Sequence, residues 1–220
     1  MSGAVNVGFR SSLSVAGAKK LGGRVVRWVW RSWHRVCLTR ELSPVVAAYR
    51  GTVLDIGGGR DSPLAGTWAS DARRVRLDIV TDFGPEVQGD ARCLPVADAS
   101  VDGVLLSEVL EHVLDPQAVM AEVARVLRPG AVFAGSVPFL GQGLHADPHD
   151  YYRYTDQALR RLLGGFREVQ VKPHGNAFGV CWRLVLMRLR FLVILNPLLR
   201  HLGRWPDPVS PEGYTFVARR

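Results

Sequence analysis

From Gly51 onward, short apolar runs alternate with amphipathic stretches. Thr52–Ile56 is a compact apolar run closed by glycines and reads as a buried strand. Val75–Ile79, Glu86–Gly89, Gly103–Leu106 and Ala131–Val137 read as four more, and Phe166–Val171 and Tyr214–Ala218 as the last two. Asp115 followed by Pro116 has the form of a helix start, with Asp as N-cap and Pro at the first helical position. That helix turns Val119, Val123, Val126 and Leu127 inward and stops at Arg128-Pro129-Gly130. Thr155 caps another helix, which runs through Leu163 to Gly164-Gly165. Strands alternating with helices predict an α/β fold with a parallel, doubly wound sheet.

Two segments stand outside this plan. Over residues 24–37, helical spacing puts Arg24, Arg27, Arg31 and Arg35 on one side. Val25, Val29, Trp33 and Val36 fall on the other, flanked by Trp28 and Trp30. Such a helix lies in a membrane interface or packs its apolar side on the domain. Residues 180–202 are strongly apolar but contain Arg183, Arg188 and Arg190. The arginine-free run 191–199 is far short of the roughly 20 residues that cross a bilayer. The segment therefore reads as a helical insertion that packs on the core or lies on a membrane. The chain divides into a basic N-terminal extension, residues 1–49, and a domain of residues 50–220 with an insertion at about 176–210.

Composition narrows the function classes. With 47% apolar residues the chain is globular. The net charge of +8 is unevenly placed: residues 1–50 carry nine basic residues against Glu41, residues 51–170 eleven against seventeen acids, and residues 171–220 eight against two. An acidic centre between basic ends does not fit a nucleic-acid-binding face, so no nucleic-acid partner is expected. Cys37, Cys93 and Cys181 are scattered, which argues against a disulfide framework or zinc site and suits a reducing compartment. The first twenty residues lack the apolar stretch of a secretory signal. Their acid-free, Ser- and Arg-containing composition allows an organellar transit peptide, and a frayed bacterial N-terminus is preferred. The expected location is cytoplasmic, with the inner face of the membrane as a peripheral seat.

The chemistry sits at the strand ends. In Val53-Leu54-Asp55-Ile56-Gly57-Gly58-Gly59 the glycines permit a strand–glycine–helix junction where a ligand meets bare main-chain N–H groups. Asp78, ending the second strand, can accept both hydroxyls of a ribose, and Asp90, after the third, an adenine amino group. A nicotinamide-dependent dehydrogenase is the competing reading, but Ser62 stands where its fingerprint needs glycine or alanine. Asp55-x-Gly57-x-Gly59 resembles the first motif of class I S-adenosylmethionine-dependent methyltransferases. Gly89-Asp90-Ala91, Leu94-Pro95 and Asp98-x-Ser100-x-Asp102 resemble their later loops. Ser107-Glu108-Val109-Leu110-Glu111-His112-Val113 and Arg125-Val126-Leu127-Arg128-Pro129-Gly130 are similar to motifs of the type 11 subgroup. Asp61 and Ala131 depart from it, each standing where glycine is usual. The resemblance, over about residues 50–172, implies a Rossmann-like seven-stranded doubly wound sheet whose last strand is antiparallel. It also implies S-adenosyl-L-methionine as methyl donor: Asp55 and the turn Gly57, Gly58 and Gly59 on the methionine part, Asp78 on ribose, Asp90 and Ala91 on adenine, and Ser107 on the pocket floor.

The segment His145-Ala146-Asp147-Pro148-His149-Asp150-Tyr151-Tyr152-Arg153-Tyr154-Thr155 overhangs the same crevice, and similar segments occur in some type 11 methyltransferases. In the functional reading Tyr151, Tyr152 and Tyr154 shape an acceptor pocket and Arg153 pairs an anionic group. His145 or His149 then removes a proton, with Tyr152 as a further catalytic candidate. Glu108 and His112 join the acceptor-binding set; Glu111 and His112 otherwise cap a helix start. In the plain alternative the tyrosines pack under a lid and Arg153 bonds a carbonyl. A metal at His145, Asp147 and His149 is a third reading, and no metal is expected. The expected activity is methyl transfer to an O- or N-acceptor, small or lipid-linked, with peripheral membrane contact through 24–37 and 180–202. The alternative is a non-catalytic cofactor-binding domain tethered by its basic ends.

Overall fold

The computed structural model describes residues 33–59, 62–140, 149–189, 195–199, 202 and 206–220. The expectations for residues 1–32, Asp61, His145 and Asp147, and for part of the 180–202 segment, lie outside these.

The chain enters the fold through α1 (Trp33–Ala48) and β1 (Gly51–Ile56). β2 (Ala72–Asp78), β3 (Val87–Gln88) and β4 (Val101–Ser107) follow, then a 3-10 turn at Leu110–His112. Next come α2 (Pro116–Val126), β5 (Leu127–Pro138), α3 (Asp156–Leu162) and β6 (Arg167–His174). Two further helices, α4 (Ala177–Arg188) and α5 (Asn196–Leu199), precede β7 (Gly213–Arg219). The seven strands form one sheet in the order β3-β2-β1-β4-β5-β7-β6. β1 to β5 pair in parallel, and β7 runs antiparallel between β5 and β6. This is the seven-stranded sheet with an antiparallel last strand that the motifs imply.

Both faces of a parallel sheet must be covered, which is why its strands read as continuous apolar runs. On one face Leu54, Ile56, Val104, Leu106, Phe133 and Phe216 pack with Val119, Val123 and Val126 of α2 and Leu159 and Leu162 of α3. On the other, Val53, Leu105 and Ala134 meet Leu38, Leu42 and Val46 of α1. Alternate residues of one strand thus serve opposite layers. Tyr49 locks α1 to the sheet: its hydroxyl donates to the Val104 carbonyl at 2.7 Å, and its ring lies over the bare Cα of Gly103. Asp115 and Thr155 cap α2 and α3 as expected, accepting from the Ala118 and Ala158 amides.

Three expectations change. No helix follows the glycines among the described residues, where 62–71 form turns instead. Ser62 and Pro63 are turn formers, and the Ser62 hydroxyl accepts from the Leu64 amide at 3.3 Å while Leu64 plugs the α1 face. β5 begins at Leu127, four residues earlier than the sequence suggests. Leu127 pairs with Val101 before a register shift, and Gly130, at φ 79°, absorbs the irregularity. The N-terminal helix runs to Ala48 despite Pro44 and forms a sheet-covering layer.

Gly135 of β5 lies so close to the Leu106 carbonyl and the Phe216 ring that a methyl group there would meet both. Gly135→Ala should destabilise the fold by about 2–3 kcal/mol, the cost of overpacking a core. Urea denaturation would show this as a lower midpoint at unchanged slope, and an unaltered midpoint would refute the packing.

Candidate active site

β1 and β4 are neighbours whose following segments diverge, so a crevice opens beyond their carboxyl ends. At the tip of β1, Gly57 has φ 71°, a value open to glycine and costly for other residues. Its amide donates to the Leu77 carbonyl at 2.8 Å, turning the chain across the end of β2. A Cβ on Gly59 would meet nothing within 4 Å, so the loop keeps its main chain open.

The three aspartates differ in their partners. Asp78, at the end of β2, is half-buried and accepts from the Val80 amide at 2.9 Å. Exposed Ile79 follows it, 61% accessible, an apolar surface at the strand tip that the sequence reading did not single out. Asp90 accepts from the Arg92 amide at 2.8 Å and is bridged by the Arg92 guanidinium, whose hydrogen bonds hold the carboxyl below its usual range despite partial burial. Ala91 behind it is buried. This loop is pinned from α2. The Glu122 carboxylate accepts from the Leu94 amide, and Arg125 donates to the Leu94 and Val96 carbonyls and to Asp98.

Asp55 is placed otherwise. It points to the α1 face, is 3% exposed, and pairs with Arg74 of β2, whose Nε donates at 2.7 Å. Burial pushes its carboxyl up to about 6 against the pull of Arg74. The Arg74 guanidinium in turn lies over the Trp68 ring, which stacks on Tyr49. A side chain on Gly58 would strike the Asp55 carboxylate, so Asp55 supports the turn from beneath.

At the tip of β4 lies a buried polar chain. Glu108 sits at φ 58°, in the left-handed region that disfavours a side chain, fixed by its amide's bond to the Ser136 carbonyl at 3.0 Å. Its carboxylate accepts from Ser136 Oγ at 2.8 Å and from His34 Nε2 of α1 at 2.8 Å. Because Ser136 spends its one proton on Glu108, Ser107 donates to Ser136, at 2.8 Å. His34 Nδ1 lies 3.3 Å from His174 Nε2 at the end of β6 and 4.0 Å from the buried Glu212 carboxylate. Burial alone would raise Glu108; its neighbours His34, His174 and Ser136 overcome this and hold it below its usual range. Burial and the neighbouring His34 drive His174 down to about 3, so it is neutral. Glu111, 1% exposed, has no hydrogen bond to either carboxylate oxygen, with His112 Nε2 3.7 Å from one, and is raised well above its ordinary value by burial, then by Glu108 and Asp150. The two neighbouring carboxyls are thus pushed in opposite directions, Glu108 toward its ionised form and Glu111 toward its protonated one, a division typical of acid–base sites.

The 149–155 loop closes over this floor. Its backbone docks on the 3-10 turn, where the Glu111 carbonyl accepts from the Tyr151 amide at 2.7 Å. His112 Nδ1 donates to the His149 carbonyl at 2.7 Å. Tyr151 is exposed and its ring lies 5.8 Å from that of His149. Tyr152 donates to the Leu114 carbonyl at 2.8 Å. Tyr154 is buried, its hydroxyl on the Leu110 carbonyl at 3.2 Å, and belongs to the core. The Arg153 guanidinium is engaged by Asp150 and the Tyr152 carbonyl. Among the described residues no group of three or more His, Cys, Asp or Glu side chains could hold a metal ion.

Residues 54–135 match the family model described as a methyltransferase domain. An uncharacterised methyltransferase of Mycobacterium sp. strain JLS is 38% identical over 147 residues, covering 57% of this chain and 51% of that protein. One from Mycolicibacterium paratuberculosis is 31% identical over 144 residues, with the same coverage of both chains. The chain spans about half the length of these curated relatives. The crystal structure of an S-adenosylmethionine-dependent methyltransferase from Archaeoglobus fulgidus superposes with a TM-score of 0.56 at 19% identity, over 90% of this chain and 99% of that one, a likeness of fold. Residues 54–135 are thus similar to a methyltransferase domain, and the fold of the chain is similar to that of an S-adenosylmethionine-dependent methyltransferase.

Protonated Glu111 carries a pH signature. Its folded value lies above the unfolded value of 4.5, so its contribution to stability is complete below that pH and is lost as pH rises through the folded value. His174 acts in the opposite sense, losing stability as pH falls through its ordinary 6.5. As pH rises above 4.5 the melting temperature of the native chain should therefore fall relative to that of Glu111→Gln. Parallel melting curves would show that Glu111 is ionised throughout.

Proposed function

We propose that this chain transfers the methyl group of S-adenosylmethionine to a hydroxyl or amine of a small-molecule or lipid-linked acceptor. The observation that carries the reading is the bare turn at Gly57–Gly59 beside the carboxylate of Asp78, both at the crevice edge of the sheet. A ribose diol fits a carboxylate at that strand tip, and the open main chain of Gly59 leaves room for the methionine portion. Exposed Ile79 offers an apolar face to the adenine, with Asp90 and Ala91 at its edge. Asp55 acts indirectly here: its carboxylate is spent on Arg74, and its part is to hold Gly58 in place.

When bound, the sulfonium supplies an already activated methyl group. The protein's task is to align the acceptor, shed water and accept a proton where the acceptor is a hydroxyl. The crevice floor of Ser107, Ser136 and Glu108 and the exposed rings of His149 and Tyr151 at its rim suit these tasks. His149 is the base candidate at the mouth. Glu108, His112 and Tyr151 are the acceptor-facing groups, and Tyr152 supports the rim through Leu114. Arg153 and Tyr154 shape the loop from within.

Calorimetry with S-adenosylmethionine and S-adenosylhomocysteine, then turnover of methyl-labelled donor against an acceptor panel, tests the reading. Asp78→Ala should raise the dissociation constant for S-adenosylhomocysteine about 10–100-fold, as expected for lost charge-assisted hydrogen bonds; an unchanged constant would remove the ribose assignment. His149→Ala should slow methyl transfer about 100-fold or more with nucleoside affinity intact. Equal loss of both would make His149 structural.

A further inference from the structure

Two stretches of the chain are basic and free of acids. Residues 1–40 contain eight Lys and Arg and residues 169–206 six more, with no Asp or Glu in either, so together they hold half of the 28 basic residues and none of the 20 acids. One described residue of each, His34 and His174, meet in the fold. His34, in the first turn of α1, contacts His174, where β6 ends. His174 pairs with Gly213, which also faces Pro138 at the carboxyl end of β5. This is the edge on which the crevice opens. α4 starts three residues beyond His174, capped by Asn176, whose side chain accepts from the Gly179 amide at 3.1 Å.

What α4 and the following residues present there is apolar and uncovered. Leu184 is 59% exposed and Leu198 72%, and Val185, Leu189, Leu195 and Leu202 are exposed as well. On α4, Cys181, Leu184 and Val185 fall on one stripe of the helix, and all three are exposed. Exposed leucines in this number mark an interaction surface. Its neighbours in sequence decide the partner. Arg183, Arg188, Arg190, Arg200 and Arg204 interleave with the leucines, and Trp182 and Trp205 accompany them. Leucines seated at the acyl boundary, arginines among the head groups and no carboxylate to be repelled are the composition of an in-plane membrane contact. Nucleic acid would neutralise the arginines but leave the leucines in water. No helix among the described residues is long and apolar enough to span a bilayer, so the contact lies on one leaflet.

We infer that α4 and α5, with the exposed Leu189, Leu195 and Leu202, dock this protein on an anionic bilayer surface, with the crevice mouth beside the lipid. Resting on the methyl-transfer reading, this makes the acceptor a group presented from the bilayer, and the acceptor-facing residues Glu108 and Tyr151 would meet it at the head-group level.

The test is co-sedimentation of the full chain with large unilamellar vesicles of phosphatidylcholine, with and without 30% phosphatidylglycerol. The chain should partition at least tenfold better onto the anionic vesicles in 0.1 M NaCl, and most of that preference should vanish in 0.5 M NaCl, where exposed charges are screened. Leu184→Ser/Leu198→Ser, which alters only exposed side chains, should lose at least tenfold in partitioning while binding S-adenosylhomocysteine as before. Failure of the chain to bind anionic vesicles, equal binding to both vesicle types, or an unaltered partition of the double variant would overturn the docking. So would a dimer in sedimentation velocity that the double variant dissolves while vesicles bind nothing, since the leucines would then seat a second copy. Vesicle binding by a chain indifferent to S-adenosylhomocysteine would sink the methyl-transfer reading alone, and the reverse result the docking alone.

Discussion

The parallel pairing of β1 with β4 is the constraint from which the molecule follows. Two parallel neighbours end on the same edge of the sheet, and here the chain leaves them in different directions, toward β2 on one side and toward β5 on the other. The space between those departures cannot be filled by either connection. Everything chemically distinctive lies around it: the glycine turn after β1, Asp78 after β2, the Asp90 loop after β3 and Glu108 after β4. The price of such an edge is that main-chain and side-chain polar groups converge where packing is dense. The structure meets this with a ladder of hydrogen bonds from Ser107 through Ser136, Glu108 and His34 to His174.

That ladder ties distant parts of the sequence into one unit. α1 covers a sheet face through leucines, yet its first turn also inserts His34 beneath the crevice, so the layer that stabilises the fold also completes the floor. Glu108 holds a backbone conformation that costs about 1–3 kcal/mol for a residue with a side chain, and its two hydrogen-bond donors are what keep it there. Glu111, one turn on, has no hydrogen bond to its carboxylate and is pushed toward its protonated form instead. The contrast between these two glutamates arises from partners that are 74 and 28 residues away from Glu108, and no local pattern contains it.

Local signals accounted for the strands and for α2 and α3, because continuous apolar runs and the caps at Asp115 and Thr155 are nearest-neighbour effects. The positions of Asp78 and Asp90 at strand tips were equally legible, since in parallel strands the end of each run marks the crevice edge. His174 escaped because β6 runs three residues past the Val171 at which its apolar run ends, and Glu212 because β7 is antiparallel. On that strand the crevice edge lies at the beginning, so Glu212 precedes β7 as Asp78 ends β2. His34 escaped because the arginine periodicity of residues 24–37 drew attention to the helix surface rather than to one buried ring. The partner of Asp55 was hidden for a related reason: Arg74 sits in β2 among Arg73 and Arg76, and only the register Val53↔Arg74 sets it beside β1.

The excursion between β6 and β7 leaves the sheet at His174 and returns at Gly213, two residues that face each other across the ladder. Since its ends are already joined, the sheet's register is indifferent to how much chain lies between them. Doubling the length of a flexible loop costs only about 0.6 kcal/mol. The same architecture can therefore exchange residues 175–212 for a longer or shorter passage without disturbing the strands that carry the glycine turn. It is a passage whose length can vary beside a fixed glycine turn while the rest of the scaffold stays as it is.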